Sequence, residues 1–178
     1  MERVRCAFPT AWWIESRLGF AAARGSPHAL TRKHGETPGI LMSGLIISVS
    51  GLRGIVGETL TPDVATRFVA AFAGKLPQGP IVVGRDGRSS GPMLSRAIIA
   101  ALSACGRDCI DIDVASTPTV GVLVRERGAA GAVQISASHN PPPYNGIKLF
   151  GATGRVLDAK TGAQIRDAYF NGEASWCS

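Results

Sequence analysis

Two hydrophobic periods take turns along residues 45–170. Short apolar or alternating runs at Leu45–Val49, Ile81–Val83, Ile110–Val114, Val133–Ile135 and Ile147–Phe150 predict strands. Between them Val64, Ala65, Phe68, Val69, Phe72 and Leu76 form one stripe at helical spacing. Thr61-Pro62-Asp63 opens that helix with a capping hydroxyl, a proline in the first turn and an acid near the positive helix end. A second helix is predicted from Ser89 or Ser90 to Cys105, with Leu94, Ala97, Ile98, Ala101 and Leu102 inward and Gly106 as its stop. Thr117-Pro118 starts a third, which Gly128 ends. Asp158 caps a fourth, with Ile165, Ala168 and Tyr169 on its buried side. Strand, helix, strand, helix, strand over residues 81–135 implies right-handed crossovers onto a mainly parallel sheet, and so an α/β domain. Leu45–Val49 reads as a strand buried on both faces. Gly51-Leu52-Arg53-Gly54 reads as the glycine-rich loop that ends it, and Ile147–Phe150 as an added strand closed by a turn at Gly151–Gly154.

Residues 1–41 do not share this pattern. Trp12-Trp13 and scattered arginines sit in them without a sustained period. They read either as a targeting peptide or as an extension upstream of a start at Met42, and are expected to pack poorly. The domain proper is expected over residues 42–178.

Composition narrows the function classes. The chain has 178 residues, 45% hydrophobic and 18% charged, enough for one cored domain, with no apolar run of membrane-spanning length. Its net charge of +6 divides into +3 for residues 1–41 (six basic, three acidic) and +3 for residues 42–178 (thirteen basic, ten acidic). A spread excess of this kind suits an anionic small molecule better than a nucleic-acid face. Neither a nucleic acid nor a membrane is expected as partner. Cys6, Cys105, Cys109 and Cys177 lack metal-type pairing and read as reduced thiols of a cytoplasmic protein.

The candidate chemistry lies after Val133–Ile135, where Ser136-Ala137-Ser138-His139-Asn140 runs into Pro141-Pro142-Pro143. Three prolines stiffen the loop. A hydroxyl, an imidazole and an amide on a rigid loop after a strand is the layout of a reactive site in an α/β domain. Ser138 has three readings: a structural turn, a hydrolase nucleophile, or a phosphoryl carrier. The hydrolase elbow wants glycines two residues either side of the serine, and this chain has Ser136 and Asn140 there. Asp111 and Asp113 read as the polar side of a strand rather than as metal ligands, and Gly84-Arg85-Asp86-Gly87-Arg88 lacks the lysine of a Walker loop.

Three stretches decide in favour of the carrier. Ser136–Phe150 (SASHNPPPYNGIKLF), Ser50–Gly57 (SGLRGIVG) and Val83–Arg88 (VGRDGR), which occur along the chain in the family's order, resemble the α-D-phosphohexomutase family, which includes phosphoglucomutase, phosphomannomutase and phosphoglucosamine mutase. The resemblance runs from about Leu45 to the chain's end and covers the first of the family's four domains. It implies a three-layer α/β/α sandwich with a mainly parallel mixed sheet. It implies a reversible phosphoryl shift between two hydroxyls of a hexose phosphate, through a hexose bisphosphate, with Ser138 as carrier. Arg53 is then expected to hold the phosphate, and His139 and Lys148 to bond substrate or exchange protons. Mg²⁺ is expected, with one ligand from phosphorylated Ser138; the family's Asp-Gly-Asp-Gly-Asp metal loop, a second-domain feature, does not occur in this sequence. On that ground the chain alone is expected to be inactive or nearly so. A non-catalytic phosphate-binding module is the alternative.

Overall fold

The computed structural model describes residues 40–42, 44–174 and 176; the expectations for residues 1–39, and for Cys6 and Cys177, lie outside the described residues. A seven-stranded mixed sheet forms the middle layer, in the order β1-β2-β3-β7-β6-β4-β5. Its strands are β1 (Ile40–Met42), β2 (Leu45–Ser48), β3 (Gly51–Ile55), β4 (Ile81–Arg85), β5 (Cys109–Val114), β6 (Gly131–Ile135) and β7 (Tyr144–Gly151). The helices are α1 (Pro62–Lys75), α2 (Gly91–Ala104), α3 (Thr117–Glu126) and α4 (Ala159–Phe170). β1 begins two residues before the boundary read at Met42.

The α/β class and the mixed sheet stand as expected, with a smaller parallel share than the sequence pattern suggests. Only β4 pairs in parallel, with β5 on one side and β6 on the other. The remaining ladders, β1/β2, β2/β3, β3/β7 and β6/β7, are antiparallel. The reason is that Gly51–Gly54 is no loop. It is most of β3, which pairs with β7, while β7 returns from β6 as a hairpin partner.

Topology explains the layers. The chain leaves β4, crosses through α2 to β5 on one side, then crosses back through α3 to β6 on the other. Two right-handed crossovers in opposite directions must put their helices on opposite faces. α2 accordingly joins α1 and α4 over a large core that contains Phe68, Phe72, Leu94, Ile98, Val133, Ile147 and Ile165. α3 covers the other face alone, over Val82, Ala132 and Phe150 through Val120 and Val124. Phe68 and Phe72 are 1% and 0% exposed, and each contributes about 1.5–3 kcal/mol by burial. The α1 start follows the sequence: Thr61 Oγ1 accepts from the Val64 amide at 3.3 Å. The α4 start does too, with Asp158 Oδ1 accepting from the Thr161 amide at 2.9 Å. Ser90 precedes α2 without capping it through its side chain, for a reason that emerges at the site.

Strand periodicity then sets the second face. Leu52, Ile147, Leu149, Val133 and Ile135 point into the large core. Their alternates, Arg53, Lys148, Gln134 and Ser136, therefore face the side of α3. α3 is short and covers only part of it. The expected double-sided burial of β2 fails for this reason: Leu45 and Ile47 are buried, but Ile46 is 41% exposed. Conversely Gln134 and Ser136, polar by the alternation, are buried at 1% and 8%. No helix among the described residues is long and apolar enough to cross a membrane.

Candidate functional site

The site lies at the carboxyl ends of β4 and β6, neighbouring strands whose crossover helices sit on opposite faces. Open α/β sheets leave a crevice at such a point. The segment after β4 (residues 86–90) and the segment after β6 (residues 136–143) meet there.

Ser138 stands at the tip of the β6–β7 connection with φ +54°, the left-handed region that a serine rarely occupies. Its amide and its hydroxyl are both bonded. Its amide donates to Ser136 Oγ at 3.1 Å, and its hydroxyl accepts a 2.6 Å hydrogen bond from Lys148 Nζ. Lys148 comes from β7, where register places it opposite Gln134 of β6 and Gly51 of β3. The lysine is thus carried by the middle of a sheet and reaches over the strand edge to the loop. The hydroxyl's bond goes to Lys148, not to His139, which is exposed on the loop.

Arg53 sits on β3 opposite Gly146 and shares a cleft of about 440 Å³ with Lys148, Ser136, Ser48, Ser50 and Thr117. The cleft is the part of the second face that α3 leaves open. Its lining holds two cations and several hydroxyls, with no carboxylate. Gly146 is required here, because a Cβ would lie 2.8 Å from the Leu52 carbonyl oxygen and 3.0 Å from that of Ser136.

Arg88, in the Val83–Arg88 stretch for which the sequence predicted no site residue, grips the loop. Its guanidinium donates to four backbone carbonyls: Ser138 (3.1 Å), Asn140 (2.7 Å), Pro141 (3.1 Å) and Tyr144 (2.9 Å). Asp86 orients it, Oδ2 accepting from Arg88 Nε at 3.2 Å and Oδ1 from the Arg88 amide at 3.1 Å. A signal for this was present in the sequence. Three successive prolines bring carbonyls but no N–H groups, so the loop's acceptors need a donor from elsewhere. Asn145 adds a second tie: its Nδ2 donates to Ser90 Oγ at 2.9 Å, which occupies the hydroxyl that would otherwise cap α2.

The donor set suits an anion. Among the described residues no group of three or more His, Cys, Asp or Glu side chains could hold a metal ion. Around Ser138 Oγ the near charged group is the Lys148 ammonium, which repels a cation. The residues present do not by themselves fit Mg²⁺, which wants near-octahedral oxygen ligation. Asp113, bonded through its carboxylate to Arg85, is likewise engaged in an ion pair.

Comparison with known proteins gives consistent results. The family model described as phosphoglucomutase/phosphomannomutase, alpha/beta/alpha domain I, matches residues 45–176. The phosphoglucosamine mutase of Prochlorococcus marinus (strain MIT 9303) is 47% identical over 127 residues, covering 70% of this chain and 26% of that protein. The phosphoglucosamine mutase of Parasynechococcus marenigrum (strain WH8102) is 45% identical over 117 residues, covering 65% of this chain and 25% of that protein. The crystal structure of a phosphoglucomutase/phosphomannomutase family protein from Burkholderia thailandensis superposes with a TM-score of 0.63 at 28% identity, over 74% of this chain and 32% of that one. The chain spans about a quarter of the length of these curated relatives.

Proposed function

The chain belongs to the phosphoglucomutase/phosphomannomutase family through its alpha/beta/alpha domain I, and from that premise we propose that it is the phosphoserine-bearing part of a phosphohexomutase, with Ser138 as the phosphoryl carrier. The observation that carries this reading is the 2.6 Å hydrogen bond from Lys148 Nζ to Ser138 Oγ. In transfer out of phosphoserine, the bond from phosphorus to Ser138 Oγ breaks as a bond from phosphorus to a sugar hydroxyl oxygen forms. Negative charge then grows on Oγ. An ammonium already donating to that atom stabilises it and can pass it the proton. In the return direction the same nitrogen, left neutral, takes the seryl proton as Oγ attacks the second phosphate of the hexose bisphosphate. Arg53, in the adjoining cleft, offsets charge on the non-bridging oxygens. His139, exposed at the tip, takes the proton that the sugar hydroxyl loses as its oxygen bonds phosphorus, and returns one to the leaving sugar oxygen in the reverse step. Phosphoryl transfer asks mainly for placement and charge neutralisation, and these side chains supply both.

Glucosamine phosphates are the first substrates to test, since the relatives cited bear the name phosphoglucosamine mutase. Mg²⁺ chemistry requires oxygen ligands beyond those described here, so no step is routed through the ion. For the same reason the 178-residue chain alone is proposed to turn over hexose phosphates weakly or not at all.

The test is phosphopeptide mapping of the protein isolated from cells that make it, before and after phosphatase. A single phosphoryl group on Ser138, absent in Ser138→Ala, is expected. Unmodified Ser138, or phosphate on another loop serine, would remove the basis of the proposal. A coupled mutase assay on this chain is expected to show little turnover; brisk turnover would refute the weak-activity reading.

A further inference from the structure

Arg88 occupies a position that neither the sugar chemistry nor the phosphate chemistry uses. Its side chain is only 19% exposed, and its donors are spent on backbone carbonyls and on Asp86. The four carbonyls it bonds belong to residues 138, 140, 141 and 144, which bracket the whole reactive loop. The sequence separation is 50 to 56 residues, so this is a tertiary tie and not a turn. It originates on the segment after β4, while Lys148 approaches from β7. The loop is therefore held at Ser138 from β4 and β7, and at the Pro143 carbonyl by the Val56 amide just after β3, at 2.9 Å.

The loop needs such a tie. Ser138 sits at φ +54°, a conformation that tends to relax unless its surroundings over-determine it. Local bonds are few: the Ser138 amide to Ser136 Oγ at 3.1 Å, the Asn140 amide to the Ala137 carbonyl at 3.1 Å, and the Tyr144 amide to the Pro141 carbonyl at 3.0 Å. Pro141, Pro142 and Pro143 can donate none. A lysine at position 88 would keep the charge but not the planar fork that reaches several acceptors at once.

We propose that Arg88, oriented by Asp86, is the positioning residue that keeps Ser138 Oγ within reach of Lys148 Nζ. It acts through the backbone and touches no reacting atom. This inference rests on Ser138 being the carrier only for its meaning in the reaction. The clamp itself is testable on the unphosphorylated chain.

The experiment uses the full chain in three forms, wild type, Arg88→Lys and Asp86→Asn, each with and without phosphoserine installed genetically at position 138. Amide hydrogen exchange reads the clamp. Exchange at Asn140 and Tyr144 is expected to rise by roughly tenfold or more in Arg88→Lys, with the β4 and β6 amides unchanged. Asp86→Asn should give a smaller rise at the same amides. The ³¹P titration of the phosphoserine reads the position: it should move toward that of a free phosphoserine peptide in the variants as the lysine contact loosens. A role in global folding alone would shift β4 and β6 protection and leave the ³¹P titration of the folded fraction where it was. Equal exchange and equal titration in all three forms would overturn the inference. Loss of Ser138 phosphate in cells with the clamp intact would instead count against the carrier assignment.

Discussion

Replacing Lys148 with methionine keeps most of the unbranched side chain and removes its charge, so it isolates the cation's effect on Ser138. With Nζ 2.6 Å from Oγ, the oxygens of a phosphate on that serine would lie about 4 Å from the ammonium. Two unit charges at that distance interact by about 1 kcal/mol in water and about 4 kcal/mol at the effective dielectric of a protein surface. The Ser138 end is exposed, so the lower part of that range applies, about 1–2 kcal/mol. The second ionisation of a phosphoserine, near pH 6 in free peptides, adds one negative charge beside the ammonium. At about 1.4 kcal/mol per pH unit, the lysine should lower this ionisation by about one unit. The sign is definite: a neighbouring cation favours the more charged form. ³¹P NMR titration of the chain carrying phosphoserine at 138 is the assay. The wild-type midpoint should fall near pH 5, and the Lys148→Met midpoint should return to about pH 6. The difference should shrink in about 0.5 M salt, where screening acts over only a few ångströms. Midpoints that coincide in the two proteins at low salt would refute the placement of Lys148 against the phosphate, and the proposed role with it.

Three further outcomes follow from the fold. A Cβ at Gly162 would lie 2.0 Å from the Val49 carbonyl oxygen, where the start of α4 meets the chain after β2; Gly162→Ala should lower stability by about 1–3 kcal/mol in urea titration, and an unchanged midpoint would show that this contact yields freely. Burial pushes the Cys109 thiol above its ordinary value of 9.0, with a hydrogen bond to Ser103 acting against that shift; iodoacetamide should therefore label Cys109 more slowly in the folded chain than in urea at pH 8.5, and equal rates would count against its burial. The Thr161 amide, and then the Thr161 hydroxyl, hold Asp158 below its ordinary 3.8. Its contribution to α4 is thus present above pH 3.8 and lost as pH falls through the lower folded value. Exchange at the first-turn amides of α4 should be faster in Asp158→Ala than in wild type at pH 6, and the two should converge in strong acid.

The helices were legible in the residues because each carries its own punctuation. Thr61-Pro62-Asp63, Asp158 and Gly128 are local signals, and the structure uses them close to where they fall. The serine loop and Lys148 were legible through motif spacing, but the reason they meet was not. Gly51–Gly54 looked like a loop because glycines are poor strand formers, and it became most of β3 because β7 offered an antiparallel edge beside it. Propensity is a local quantity; an open edge is not.

The sequence by itself determined most of the helices and strands of residues 45–170 and the family they belong to, and it singled out Ser138 as the proposed carrier. Only the tertiary structure decided that Arg53 and Lys148 share the uncovered face, because that follows from strand register and from α3 standing alone on its side. It also decided the use of Arg88. Four orphan carbonyls and one guanidinium lie some fifty residues apart in the chain, and no local rule pairs a donor with acceptors that come near it only when β4 and β6 lie side by side.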